Sequence, residues 1–236
     1  MNIKVTKLTG IDLLHKANEF TTGHESKMSL ATAYRTRHTN IRTQIFWAEC
    51  YGIPQYVAYH LRTHFSLYMM APQEYGWMKS KRVDHGGKDF RNECEALVDT
   101  LETQVENMEE SSFSYTRDAV VANIRDAIEI IREMPDHFDR YAHTDFCFMI
   151  SAEGLMVMAA TRLCAKASKE TREVVQAICE LVEEQDPDLY KHLVPQCIYR
   201  GGICPEPKGC GYIASEKGQS RLKFYKALFN QKNNSK

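Results

Sequence analysis

Apolar and polar positions recur along this chain with two periods, near two residues and near three to four. Ile3 and Val5, followed by Leu8-Thr9-Gly10, predict a short first strand and a turn. From about Ile11 to Phe20 the apolar residues Leu13, Leu14, Ala17 and Phe20 share one helical face. Gly23-His24-Glu25-Ser26 reads as a turn, and Ser29 to Arg37 as a second short helix. Thr43 to Tyr51 is rich in β-branched and aromatic residues and predicts a buried strand ended by Gly52-Ile53-Pro54. Tyr56 to Phe65 is helical by its spacing of Val57, Ala58 and Leu61, which places His60 and His64 on a common face.

Ser66 to Trp77 is an aromatic and Met-rich connection. Beyond it, Leu97, Leu101, Val105 and Met108 mark one amphipathic helix over Asn92 to Met108. Val121, Ile124, Ala127, Ile128 and Ile131 mark a second over Asp118 to Glu133, ended by Pro135-Asp136. Thr144 to Glu184 predicts one long helix or two nearly continuous ones, because no Gly or Pro interrupts the run after Leu155. Arg162 and Arg172 fall in this run, ten positions apart. On a continuous helix they would lie within about 80° of each other on one side. Asp186-Pro187-Asp188 stops the run. After Tyr212 the chain is polar and basic, with Leu222, Phe224, Tyr225, Leu228 and Phe229 able to dock one short helix, and the last six or so residues are expected to be disordered. No internal repeat is visible.

The net charge of −1 over 236 residues offers no general drive toward nucleic acid or a membrane surface, so no direct nucleic-acid binding is expected. The opening segment MNIKVTKLTG has no apolar core, and no run approaches membrane-span length, so a cytoplasmic location is the expectation. Of eight cysteines, five are scattered through periodic segments and read as small packed side chains. Cys197, Cys204 and Cys210 cluster in a Gly/Pro-rich loop with His192 nearby, which leaves a tetrahedral zinc site and reduced thiols in a folded flap both open.

The chain carries no GxGxxG, no phosphate-binding GxxxxGK[ST] loop, no GxSxG elbow and no Cys/His couple in a protease-like context. What stands out is basic. Ser80 and Arg82 lie in the cluster Lys79-Ser80-Lys81-Arg82, Arg162 and Arg172 in the long helical run, and Arg62 between His60 and His64. Arginine forks match phosphate and carboxylate edges, and serine adds a hydroxyl donor. These residues form either a solvated basic face or a pocket for an anion such as a nucleotide.

The stretch Arg162-Leu-x3-Ala167-x2-Glu170-Thr-Arg172 resembles the R-L-x3-A-Q-x-E-I-R helix of the flavin-dependent thymidylate synthases, with Thr144-x-Phe146 and Leu155 matching the approach to it. Ile53 to His64 is similar to the family segment leading to Q-x-x-R-H-R, and Ser80-Lys81-Arg82 to the S-x-R that follows. Order and rough position agree over about residues 40 to 180. The resemblance implies an α+β fold with an antiparallel sheet and long helices, in a homotetramer that binds FAD at subunit interfaces. It implies transfer of a one-carbon unit from methylenetetrahydrofolate to C5 of dUMP, with NADPH reducing the flavin. By position, Ser80, Arg82 and Arg172 would bind the nucleotide, and His60 stands where a glutamine contacts it. His64 and Arg162 would face FAD, with Arg62 and Lys166 beside them. Arg172 would also act catalytically, polarising the pyrimidine. The family-like domain would span residues 1–190, and residues 191–236 would hold the Cys-rich loop and tail.

The departures from the family pattern are specific. R-H-R becomes Thr63-His64-Phe65, Met78 stands where an acidic residue is expected (with Glu74 able to serve instead), and Gln44 and Ser168 replace His and Gln. Ser151 and Glu153 replace Asn and Arg. They keep open a deoxypyrimidine monophosphate hydroxymethylase making a modified nucleotide, and a nucleotide-binding homologue that has lost flavin.

Overall fold

The computed structural model describes the backbone of residues 1–68, 76–78, 86–109, 115–138 and 143–230, with side chains at 1–62, 77, 92–109, 117–134 and 143–230. The elements, in order, are β1 (Asn2–Lys7), α1 (Ile11–Thr22), α2 (Leu30–Thr36), β2 (Ile45–Pro54), α3 (Gln55–Tyr68), β3 (Gly76–Met78), α4 (Gly86–Glu109), α5 (Tyr115–Phe138), β4 (His143–Ser151), α6 (Ala152–Arg162), α7 (Lys169–Gln185), α8 (Pro187–Tyr190), α9 (Gln196–Tyr199) and α10 (Glu216–Asn230). Two short 3-10 turns, Thr39–Thr43 and Tyr212–Ala214, complete them. The chain divides into two compact units: residues 1–53, 57–78 and 145–236 form one, and residues 54–56 and 79–144 the other.

The larger unit is built on a four-stranded sheet in the order β1-β2-β4-β3. β1 and β2 pair antiparallel with Ile3 opposite Cys50 and Val5 opposite Ala48, and β3 pairs antiparallel with β4. Contacts at opposite ends of β2 and β4 also place these strands in opposite directions: Gly52 N donates to Asp145 Oδ1 at 2.9 Å, and Ala152 N to Gln44 O at 2.8 Å. Phe46, Ala48 and Cys50 on β2, with Phe146, Phe148 and Ile150 on β4, turn one sheet face into the core, each less than 5% exposed. Leu14, Tyr34, Ile41, Leu61, Leu155, Met158 and Ile178 fill the rest of that core. The other face carries Trp47 and Trp77, their rings 5.5 Å apart, and Glu49 held by Trp47 Nε1 and Tyr51 Oη.

Three expectations are corrected here. Residues 143–151 form a strand rather than the start of a helix. Thr144, Phe146, Phe148 and Ile150 are buried alternately, and that period of two suits only a pleated strand. Of the two alternatives for the run from Leu155 to Glu184, the single long helix is ruled out, and two helices form instead. Between α6 and α7 the chain makes a turn over residues 163–168, although Ala165 and Ala167 favour helix. Leu163 is drawn into the core, and the extended backbone of Ser168 sets the start of α7. Ser168 Oγ then bonds Thr171 Oγ1 at 2.7 Å across the first turn of α7. Finally, α5 runs on to Phe138, so Pro135, one turn from its end, does not stop it. The expected final disorder falls on residues 231–236, outside the described residues.

In the smaller unit α4 and α5 pack along Val98, Val105, Val121 and Ile128, flanked by Leu101, Met108, Ile124 and Ile131. Leu97, expected in the stripe, is 48% exposed, and Val98 takes its place because Cys94, Val98, Leu101, Val105 and Met108 keep the three-four spacing of one face. Exposed ion pairs, Arg125 with Glu109 at 2.5 Å and Arg132 with Glu102, link the two helices.

Asp186 ties the ends of the larger unit together. It caps α7 through its backbone, and its Oδ1 accepts from Leu189 N at 3.0 Å, starting α8. Its Oδ2 accepts from Tyr34 Oη and from Lys7 Nζ, each at 2.6 Å. Burial first, then the bond to Asp186, push the Tyr34 hydroxyl far above its ordinary range, so it remains a donor. Gln185 seals the free edge of β1 by accepting from Lys7 N and donating to Val5 O, both at 2.7 Å.

The C-terminal segment docks on its own cluster of Val194, Cys197, Ile198, Leu222 and Tyr225. Phe224, expected to dock with them, is 55% exposed, whereas Phe229, though 46% exposed, packs its ring on Tyr225 at 5.3 Å. His192 is buried against the ring edges of Tyr225 and Phe229. Burial, and next the charge of Arg37, lower its pKa to about 4 from 6.5. An unfolded chain therefore takes up this proton first on acidification. The contribution of neutral His192 is complete above about pH 6.5 and is lost as pH falls toward 4. Stability is expected to drop by about 2 kcal/mol from this group between pH 7.5 and pH 5. Urea unfolding of wild type and His192→Phe at both pH values checks it, and equal pH slopes in the two proteins would rule it out.

Candidate functional site

The turn between α6 and α7 is the meeting point of the residues singled out by motif. α6 ends at Arg162, whose Nη2 donates to the carbonyl of His60 on α3 at 3.4 Å. Burial lowers the Arg162 pKa, as expected for a cation half-withdrawn from water. Across the turn, in the first helical turn of α7, Thr171 is fully buried and its Oγ1 lies 3.0 Å from His60 Nδ1. Ser168 Oγ lies 2.7 Å from Thr171 Oγ1, so the two hydroxyls and the His60 ring form one hydrogen-bonded chain. His60, Ser168 and Thr171 thus form a short relay that holds the imidazole orientation from behind. Ser168 and Thr171 were not among the expected site residues; the Ser-x-x-Thr spacing, which suits a local hydroxyl pair, is the signal that could have found them.

Arg172 follows Thr171 but leaves α7 about 100° further round. Its Nη1 donates to the carbonyls of Ala165 and Ala167 at 3.4 and 3.5 Å, so the guanidinium lies along the turn instead of beside Arg162. Arg162 and Arg172 therefore stand on separate helices and not on one side of a single helix. Arg172 lines a cavity of about 550 Å³ that also meets Tyr212, Lys217 and Arg221 from the C-terminal segment. Its volume falls within the range of about 300–1,000 Å³ common for small-molecule sites. Lys166 is exposed in the turn and Arg62 is exposed on α3. The side chain of His64 and all of Ser80 and Arg82 lie outside the described residues.

Gln44, at the position of the expected histidine, is completely buried and donates from Nε2 to Gly10 O at 3.1 Å. Ser151 accepts from Gly154 N at 3.2 Å and caps α6, and Glu153 pairs with Arg42. These three departures from the family pattern make structural contacts in this chain. Among the described residues no group of three His, Cys, Asp or Glu side chains is placed to hold a metal ion, and Cys197 and Cys204 pack in the C-terminal apolar cluster. No described helix is long and apolar enough to cross a membrane.

No protein-family model matches the sequence, and no curated protein does. Among solved structures the chain is similar to a thymidylate synthase X from Helicobacter pylori with FAD and dUMP, at 14% identity and a TM-score of 0.47 over 82% of this chain and 99% of that one. It is similar to the same degree to a flavin-dependent thymidylate synthase from Helicobacter pylori complexed with FAD and dUMP, at 15% identity and a TM-score of 0.47, covering 82% of this chain and all of that one.

Proposed function

We propose that this protein is a flavin-dependent enzyme of the thymidylate synthase type. It would transfer a one-carbon unit from methylenetetrahydrofolate to C5 of dUMP, with FAD as cofactor, NADPH as reductant and a homotetramer as the working assembly. The observation that carries this reading is the meeting of His60 with Arg162 and Thr171. Residues more than a hundred positions apart, chosen by two separate motif stretches, come within hydrogen-bond distance.

The residues present suit such a cofactor. The half-buried Arg162 supplies a weakly hydrated cation, and exposed Lys166 a second one, for the anionic parts of FAD. Bound flavin supplies the redox chemistry, and the protein orients and polarises. His60, held at Nδ1 by Thr171, would contact the nucleotide. Arg172, with Ser80 and Arg82, would hold the nucleotide, and its charge would stabilise negative character on the pyrimidine as C5 becomes nucleophilic.

The test combines colour and product. Purified protein is expected to carry a flavin absorption band, or to gain one on reconstitution with FAD. With dUMP, methylenetetrahydrofolate and NADPH it is expected to form a nucleotide heavier by one methyl group, read by mass spectrometry. A product heavier by a hydroxymethyl group would replace the methylating activity by hydroxymethylation. Colourless protein that neither takes up FAD nor turns over would leave the second reading, a nucleotide-binding homologue without flavin. That reading is favoured by one observation, that the cavity at Arg172 is not lined by Arg162 or His60.

A further inference from the structure

The cavity at Arg172 is lined from two directions. α7 contributes Arg172, and α10 contributes Lys217 and Arg221, which stand four residues apart and so project from one helix face. The first turn of α10 is locked in place against the Tyr212–Ala214 turn. Ser215 Oγ donates to Tyr212 O at 2.6 Å and accepts from Gly218 N at 3.1 Å, while Gln219 Nε2 donates to Ile213 O at 2.6 Å. Gly218 approaches so closely that a Cβ there would lie 2.0 Å from the Tyr212 carbonyl oxygen, so only glycine permits this docking. Arg221 is further held by its Nη2 bond to Leu193 O at 3.1 Å.

Among the described residues, none of these three cations makes an ion pair. The two carboxylates of the lining are engaged along their own helix. Glu173 lies 3.9 Å from Lys169, and Glu180 accepts from Gln176 Nε2 at 2.8 Å. Three cations and two carboxylates therefore share the lining, an excess of one positive charge (3 − 2), and the cations keep N–H donors that an anion can take. Leu163, Pro195 and Tyr212 line the same cavity, giving it apolar surface and an aromatic ring suited to a planar base.

We propose that this cavity binds a nucleoside monophosphate, with Lys217 and Arg221 on the phosphate, Arg172 toward the pyrimidine and Tyr212 against the base. It rests on the reading that Arg172 meets the nucleotide, and adds that the C-terminal helix supplies two of the cations.

Calorimetric titration of the full-length protein with dUMP, deoxyuridine and inorganic phosphate tests it, comparing wild type with Lys217→Met. Lys217 is exposed and makes no hydrogen bond or ion pair among the described residues, so the variant is expected to fold, as a thermal melt verifies. Wild type is expected to bind dUMP, with affinity falling about 10-fold in Lys217→Met and falling further with added salt. Deoxyuridine, without the phosphate, is expected to bind both proteins equally. Unchanged dUMP affinity in the variant overturns this site while leaving the proposed function standing. Phosphate binding that depends on Lys217, with no binding of dUMP, overturns the nucleotide assignment and the proposed function together.

Discussion

Asp186→Ala is expected to destabilise the protein by about 3–5 kcal/mol, the range for removing one partner from a buried ionic group. One carboxylate serves three donors at once: Tyr34 Oη, Lys7 Nζ and Leu189 N. Truncation leaves the Tyr34 hydroxyl completely buried without its acceptor and strands the Lys7 ammonium, only 16% exposed, beside it. It also removes the side-chain cap of α8. Asp186→Asn is expected to recover only part of this loss. Its single acceptor oxygen can serve Leu189 N or the Tyr34–Lys7 pair, and its amide then meets a donor on the other side. Urea denaturation of the three proteins at pH 7 measures the series. Midpoints within experimental error of one another would show that the network contributes nothing beyond what water can replace.

Arg172→Ala is expected to lower turnover of dUMP by about 10²–10³-fold, the loss typical of removing one preorganised donor from a developing charge. The same change should leave the fold intact. Arg172 is only partly buried, and its two contacts to the Ala165 and Ala167 carbonyls are long, at 3.4 and 3.5 Å. A melting temperature close to wild type is therefore expected beside the kinetic loss. Arg172→Lys keeps a charge but loses the two-pronged fork, and should fall between the two. Steady-state kinetics with varied dUMP separates the effects: a rise in KM reports lost binding, and a fall in kcat reports lost polarisation. If kcat and KM are both unchanged in Arg172→Ala, the residue has no part in the site.

The two experiments address different parts of the same helix. α7 begins at the turn that places Arg172 and ends at Asp186, which fastens it to β1 and α2. The rigid far end of the helix is what gives the near end a defined position. Lys217, on α10, lies outside that anchor, so its substitution probes the cavity without loosening the core.

Much of the local structure was legible in the residues alone. The first strand and helix, the helix read from Tyr56 and the paired helices α4 and α5 follow from periods of two and three to four, and the strand entering Gly52 from its β-branched and aromatic content. The four-residue spacing of His60 and His64 and the ten-residue spacing of Arg162 and Arg172 were likewise visible, as was their resemblance to one enzyme family. Three-dimensional packing decided the rest. The stretch from His143 to Ser151 alternates as a strand, yet its apolar content also suits a buried helix, and its neighbours β2 and β3 settle the matter by supplying hydrogen-bond partners. The break between α6 and α7 has no Gly or Pro to announce it. It goes with the burial of Leu163 and the bond between Thr171 and His60, long-range contacts that no local spacing encodes. That break decided which residues meet: Arg162 turned toward His60, and Arg172 toward Lys217 and Arg221, a polar stretch of tail whose charges acquire a direction only once Gly218 seats α10 against Tyr212. Periodicity reports the faces of single elements, whereas a site is assembled from side chains far apart in the chain, and only the packed core brings them together.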